Sequence, residues 1–169
     1  KNAGLQFDNR IAKGFLGGSY TIEIYFRFAA LDSWKRVIDF KNRKSDYGCY
    51  IYDGKLNFYN FAVGTKAPVR PNEYTHYVVS RDAKTQQLKM YVDGESKVEF
   101  TDKYDQGVID DDGVLNFFFE KFLASARLLF IALVVKCNLC RNLQIDNLLR
   151  LCQIVLLRVS LHVSLFARL

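Results

Sequence analysis

The sequence predicts an all-β protein, a sandwich or barrel of antiparallel strands, and three observations predict it. Apolar and polar residues alternate in short runs. Two pairs of those runs are joined by Asp-Gly, at Asp53-Gly54 and Asp93-Gly94. Turn residues separate the runs at roughly regular intervals, and no sustained helical period precedes Glu120.

The first long run is Ser19 to Phe28. Tyr20, Ile22, Ile24, Phe26 and Phe28 fall on one face, and Thr21, Glu23, Tyr25 and Arg27 on the other, as a strand with one buried and one solvated side requires. A shorter apolar run spans Arg36 to Phe40. Tyr50-Ile51-Tyr52, the Asp53-Gly54 turn and Lys55 to Tyr59 read as a hairpin, because Asp-Gly tolerates the positive φ angles of a two-residue turn. Tyr74 to Arg81 is a further strand. Gln87 to Val92, Asp93-Gly94 and Glu95 to Phe100 repeat the hairpin signal, and Val114 to Phe119 is the last strongly β-prone run. Ile22, Ile24, Phe26, Val78 and Met90 are the expected core.

Composition divides the chain near Glu120. Residues 1–120 hold all ten Gly, all ten Tyr, both Pro and the single Trp, with 17 basic and 17 acidic residues. Residues 121–169 hold 14 Leu and 7 basic residues against one acid, Asp146, so the whole net charge of +6 lies there. A basic pI usually suggests nucleic acid or an anionic surface. Here the first segment is neutral and the tail is Leu-rich rather than Lys-rich, which argues against nucleic acid. Phe122 to Val135 is an apolar run of 14 residues with Arg127 inside it, too short for the ~20 residues of a membrane-spanning helix. The tail reads as helix over 122–136 and 143–157, although a strand-like alternation runs through Val155 to Leu165. Two incompatible periods in one segment are unusual in a sequence selected to fold. Lys1 opens the chain and the only Met is Met90, so the expectation is a fragment or processed product.

The pieces of the first segment, in order, resemble the laminin-G-like, concanavalin A-like lectin/glucanase jelly-roll family of bacterial type. Gly4-Leu5-Gln6-Phe7-Asp8 is similar to its opening strand, Tyr20 to Phe28 to its long second strand, and Trp34 to Phe40 to the next. Tyr50 to Phe58 is similar to its central hairpin. Pro71 to Asp82, followed by Met90-Tyr91-Val92-Asp93-Gly94, carries the resemblance best. It covers residues 1 to about 120 and implies a jelly-roll sandwich in a secreted or cell-surface protein. The family continues past Val114–Phe119 through a Gly-rich loop to a closing strand. Residues 121–169 contain no Gly, Pro or Tyr. The expectation is therefore an incomplete sandwich over 1–120, followed by a Leu/Arg-rich tail at 121–169 that stems from a change of reading frame or, alternatively, is a genuine extension. An open sheet edge next to apolar tail sequence predicts aggregation.

The resemblance admits lectins and glucanases. Glucanases need clustered carboxylates, about 5–5.5 Å apart in retaining enzymes. Glu95 and Glu99 lack a middle acid and stand about 13 Å apart on an extended strand, so no catalytic residue is assigned and a glycoside hydrolase is disfavoured. His76 lies within a strand and reads as packed or half-exposed. Cys137 and Cys140 have CxxC spacing, with Cys152 and His162 downstream, but no second pair at zinc-motif spacing. Some members of the family bind calcium; Asp110-Asp111-Asp112 with Asp105 or Asp102 offer oxygens for it, against the simpler reading of a solvated turn. No metal ligand or other cofactor is assigned. Trp34, Tyr47, Tyr50, Tyr52, Tyr59 and Phe61 form an aromatic surplus around the third strand and central hairpin. Aromatic rings stack on the apolar faces of sugars. Because they lie nearest predicted loops, Trp34, Tyr47 and Tyr59 are the expected ligand-binding residues. The sequence-level reading is a non-catalytic module recognising carbohydrate or a glycosylated partner, with a protein–protein adhesion or structural module as the alternative.

Overall fold

The computed structural model describes residues 4–10, 18–119 and the strand over 132–137. The described residues form strands and turns without a helix. The strands are β1 (Leu5–Asp8), β2 (Tyr20–Phe26), β3 (Lys35–Asp39), β4 (Gly48–Tyr52), β5 (Lys55–Tyr59), β6 (Ala62–Val63), β7 (Thr75–Arg81), β8 (Gln87–Val92), β9 (Glu95–Thr101), β10 (Val114–Phe117) and β11 (Ala132–Cys137). They make two antiparallel sheets, ordered β1-β10-β3-β4-β5-β6 and β11-β2-β7-β8-β9. The sheets pack face to face as a sandwich, and their inner side chains form the core.

The alternation read from residues 19–28 places β2 as expected. Tyr20, Ile22, Ile24 and Phe26 are fully buried, whereas Thr21, Glu23 and Tyr25 lie toward solvent. Opposite them on β7, Ile22 pairs with Val79 and Ile24 with Tyr77. Directly opposed residues share a sheet face, so Tyr77 and Val79 are buried. The expectation for Val78 is thereby corrected: it stands opposite Glu23 on the outer face and is only half-buried. Met90 is fully buried, as expected. From the other sheet, Phe40 stacks between Tyr20 and Phe58, with centroids 5.7 and 6.2 Å away. The hydroxyl of Tyr20 donates to the Gly107 carbonyl at 2.7 Å.

Both Asp-Gly pairs turn hairpins with two positive φ angles, 47° and 71° at Asp53-Gly54 and 51° and 81° at Asp93-Gly94. Such mirror-image turns match the twist of the strands they join.

Two expectations for the tail are corrected. Helix was predicted over 122–136, but residues 132–136 lie within strand β11. The sandwich was also expected to lack a strand beside its N-terminal strands. Instead β11 pairs with β2 from Ala132↔Tyr25 to Cys137↔Tyr20. The physical reason is that an unpaired strand edge recruits any segment able to extend, and Leu133, Val134 and Val135 supply strand-prone residues. The second predicted helix, over 143–157, lies outside the described residues.

Candidate functional site

The six-stranded sheet has an outer face that its register lays out in rows. One row runs Gln6, Asn116, Asp39, Gly48, Tyr59 across β1, β10, β3, β4 and β5. The next runs Arg36, Tyr50, Asn57, Val63 across β3 to β6, and beyond it Tyr52 stands opposite Lys55.

Arg36 and Asp39 share this face because β3 is irregular. Three residues apart on a regular strand, they would point to opposite sides. The register of β3 against β4 shifts between Arg36 and Ile38. This bulge leaves Val37 and Ile38 both fully buried in the core, and Arg36 and Asp39 both outward. Bulges commonly re-aim side chains in this way. The Arg36 guanidinium then lies 3.5 Å from the Asp39 carboxylate.

The polar groups on this face are interlinked. Gln6 Nε2 donates to Asn116 Oδ1 at 2.9 Å, and Asn116 Nδ2 reaches Asp39 at 3.4 Å and Asn42 at 3.3 Å. Asp39 is fully buried; its oxygens also accept from the backbone N–H groups of Lys41 at 2.9 Å and Arg43 at 2.7 Å. Arg36 Nε donates to the Tyr50 hydroxyl, and Nη2 donates to Asp46 at 2.8 Å and to the Ser45 carbonyl at 3.5 Å. The guanidinium also lies over the Tyr50 ring, 4.9 Å from its centroid. The segment 41–46 is thus folded back over β3. Burial pushes the Tyr50 phenol up to about 12 against the opposing pull of Arg36, so it remains a neutral hydroxyl at physiological pH.

Beside this network stand the aromatic rings. Trp34 is stacked on Tyr52 with centroids 4.5 Å apart and meets Tyr59 edge-on at 5.6 Å and Tyr50 at 5.8 Å. Trp34, Tyr52 and Tyr59 remain 42%, 47% and 40% exposed. Three large rings, half open to solvent, one pair stacked and one edge to face, form a platform rather than a core. Gly48, between Asp39 and Tyr59, keeps this part of the sheet tight. Its φ is +152°, and a Cβ there would come 2.4 Å from the Ile38 carbonyl oxygen.

Of the three residues predicted from sequence, Trp34 and Tyr59 come together in this platform. Tyr47 does not join them: its ring packs on Phe61 at 5.5 Å, in a second aromatic group with Phe100 and Tyr104. Tyr52 was passed over, though a signal for it existed. With Ile51 buried and a two-residue turn after Tyr52, alternation puts Tyr50 and Tyr52 on one face. Arg36, Asp39 and Asn116 carried no such signal, because the bulge and the pairing with β10 bring them together.

The acidic residues considered for calcium do not fit a cation. Asp102 is buried and accepts from Arg81 Nε at 2.9 Å, Gln106 N at 2.8 Å and Gly107 N at 2.9 Å, while Asp105 takes the other end of the same guanidinium at 2.5 Å. Asp110 and Asp112 are neutralised by Lys41 and Lys44, at 3.2 and 2.8 Å. The hydrogen bonds from Lys44 and Asn42 bring the Asp112 carboxyl down to about 2. The positions a metal would take are held by ammonium and guanidinium groups, and the described residues hold no cluster of three or more His, Cys, Asp or Glu able to bind a metal. Glu95 and Glu99 are exposed and paired with Lys97 and Lys89. His76 Nε2 lies 2.8 Å from Glu23, half-exposed on the outer face of the five-stranded sheet. Cys137 lies in β11, and Cys140, Cys152 and His162 lie outside the described residues. Among the described residues no helix is long and apolar enough to cross a membrane.

Residues 1–117 match the family model described as the Concanavalin A-like lectin/glucanases superfamily. Among solved structures, the chain is similar to the carbohydrate-binding module of the Ruminococcus gnavus IT-sialidase. With α2,3-sialyllactose bound, that module is 13% identical with a TM-score of 0.54, covering 90% of this chain and 96% of that one. With α2,6-sialyllactose bound, the figures are 14%, 0.53, 88% and 93%. Sheep galectin-11 in complex with glycerol is 10% identical, with a TM-score of 0.47 over 79% of this chain and 98% of that one. No curated protein sequence matches the chain.

Proposed function

Because the chain belongs to the concanavalin A-like lectin/glucanases superfamily, we propose that it is a non-catalytic carbohydrate-binding module of a secreted or surface protein. The observation that carries this reading is the exposed platform of Trp34, Tyr52 and Tyr59, with the exposed Asp46 carboxylate held beside it by Arg36. Sugar rings present an apolar face of C–H groups and a rim of hydroxyls. An exposed indole and two phenol rings take the face, and the phenolic hydroxyls and the exposed Asp46 carboxylate take the rim. The sialyllactose complexes of the R. gnavus module support a glycan as the ligand class for this fold, although fold alone does not carry function. The paired, exposed Glu95 and Glu99 and the charge-saturated Asp39 offer no acid–base couple for hydrolysis.

The test is a broad glycan array probed with the full chain, with calcium and with chelator. Binding to a defined glycan class, unchanged by chelator and reduced about tenfold by Trp34→Ala with the melting temperature retained, supports the reading. An empty array under both conditions rejects it and favours protein–protein adhesion.

A further inference from the structure

We propose that the outer-face site recognises uncharged sugars and discriminates against glycans that present a carboxylate or sulfate. This rests on the carbohydrate reading above and narrows its ligand class. The reason lies in Arg36, the cation at the centre of the site. An arginine is the side chain best suited to grip a carboxylate, through two parallel N–H bonds. Here those bonds are already committed. Nε faces the Tyr50 hydroxyl, Nη2 faces Asp46 and the Ser45 carbonyl, and Nη1 faces Asp39. The guanidinium side chain is 10% exposed and covered by the residues that bind it. An incoming carboxylate would have to displace Asp46 while Asp39, buried and tied by three further donors, stays in place. The displaced Asp46 carboxylate, tethered by the chain, would then repel the incoming one in a site partly shielded from water.

The exposed polar groups around the platform are mainly acceptors or hydroxyls. Asp46 uses one oxygen on Arg36 and keeps its side chain 75% exposed. Asp32, exposed and two residues before Trp34 in the chain, holds the buried Lys35 ammonium at 3.2 Å. Tyr52 and Tyr59 add phenolic hydroxyls. Lys55, opposite Tyr52, is the cation at this edge without an ion pair among the described residues. It is half-exposed, and its field there is screened by salt. Sugar hydroxyls, which donate as readily as they accept, suit such a rim; anions do not.

The experiment is an array in which each neutral glycan is accompanied by its sialylated, sulfated or uronic counterpart, lactose and α2,3-sialyllactose among them, followed by titration of the best pair at low and high salt. The expected result is binding to the neutral member, insensitive to salt, with the anionic counterpart weaker by about tenfold. Anionic counterparts that bind as well or better, with affinity falling as salt rises, overturn this inference and leave the carbohydrate reading standing. An empty array overturns both. Asp46→Asn frees part of the guanidinium, so the anionic-to-neutral affinity ratio should rise at least about fivefold at low salt. An unchanged ratio also overturns the inference.

Discussion

Ile24 is fully buried between Ile22 and Phe26 on the inner face of β2. Ile24→Asp would place an unpaired carboxylate among these side chains, and we expect a loss of several kcal/mol, read as a large drop in the denaturant midpoint. An unchanged midpoint would show the register of β2 to be wrong. Arg81 and Asp102 make the opposite case, a buried charged pair at 2.9 Å with both side chains only 2% exposed. Asp102→Ala removes one partner and the acceptor for Gln106 N and Gly107 N together. The expected cost is about 3–5 kcal/mol, with faster amide exchange across 103–107. At the rim, Asp112 titrates near 2 against an ordinary value of 3.8 because Lys44 and Asn42 hold its charged form. A carboxylate depressed on folding stabilises the protein fully above its unfolded value. That contribution fades as pH falls from about 4 to about 2. Lys44→Gln should raise the Asp112 midpoint, followed by NMR, and make the protein less resistant to acid in that window.

Among the elements, the two Asp-Gly hairpins look alike in sequence and differ in surroundings. A Cβ on Gly54 would meet the Val69 carbonyl oxygen at 2.6 Å, whereas one on Gly94 would meet nothing within 4 Å. Both glycines have positive φ, which costs an L-residue about 1–2 kcal/mol. Gly94→Ala should therefore cost about that much, and Gly54→Ala clearly more, in paired chemical denaturations. Equal losses would mean that the segment around Val69 yields freely. The bulge in β3 is the other element whose shape matters. It turns a strand with Arg36 and Asp39 on opposite sides into one that offers both to the same surface, and the candidate site depends on it.

For the whole molecule, the question is which sheet edges remain open. β9, at one edge of the five-stranded sheet, carries Glu95, Lys97 and Glu99, charges that discourage pairing with another chain. At the opposite end, β2 is paired with β11 through six residue pairs. That pairing makes β11 the end strand of the sheet, and exposure of β2 to other chains depends on whether β11 stays in place. Alternate N–H groups of a strand point to its neighbour, so one of Leu133→Pro and Val134→Pro must delete a donor to β2. That variant should lose exchange protection along Tyr20–Phe26 and self-associate, seen as earlier elution in size-exclusion chromatography. If both variants elute and exchange like the parent, β11 contributes nothing to the sandwich.

Residue patterns were enough for the all-β class, for β2 to β5 and β7 to β10 within a residue or two, and for both tight turns; β1 was reached through the family resemblance. These follow from local chemistry: the two-residue period of β2, and the φ angles that Asp-Gly permits. The sequence also singled out the aromatic surplus that includes Trp34, Tyr52 and Tyr59, the rings of the platform. Tertiary structure decided the rest. Val78 turned outward because β7 takes its register from β2, which puts Val78 on the half-exposed face with His76 and Ser80, although Val78 and Val79 side by side look equally fit for the core. Tyr47 went to Phe61 because the path of the loop before β4 is set by Arg36 gripping Ser45 and Asp46. Residues 132–136 became strand rather than helix because the edge of β2 offered hydrogen-bond partners that no helical period could outweigh. Pairing, bulges and edges join residues far apart in the chain, and their energies have no counterpart in any local window of sequence.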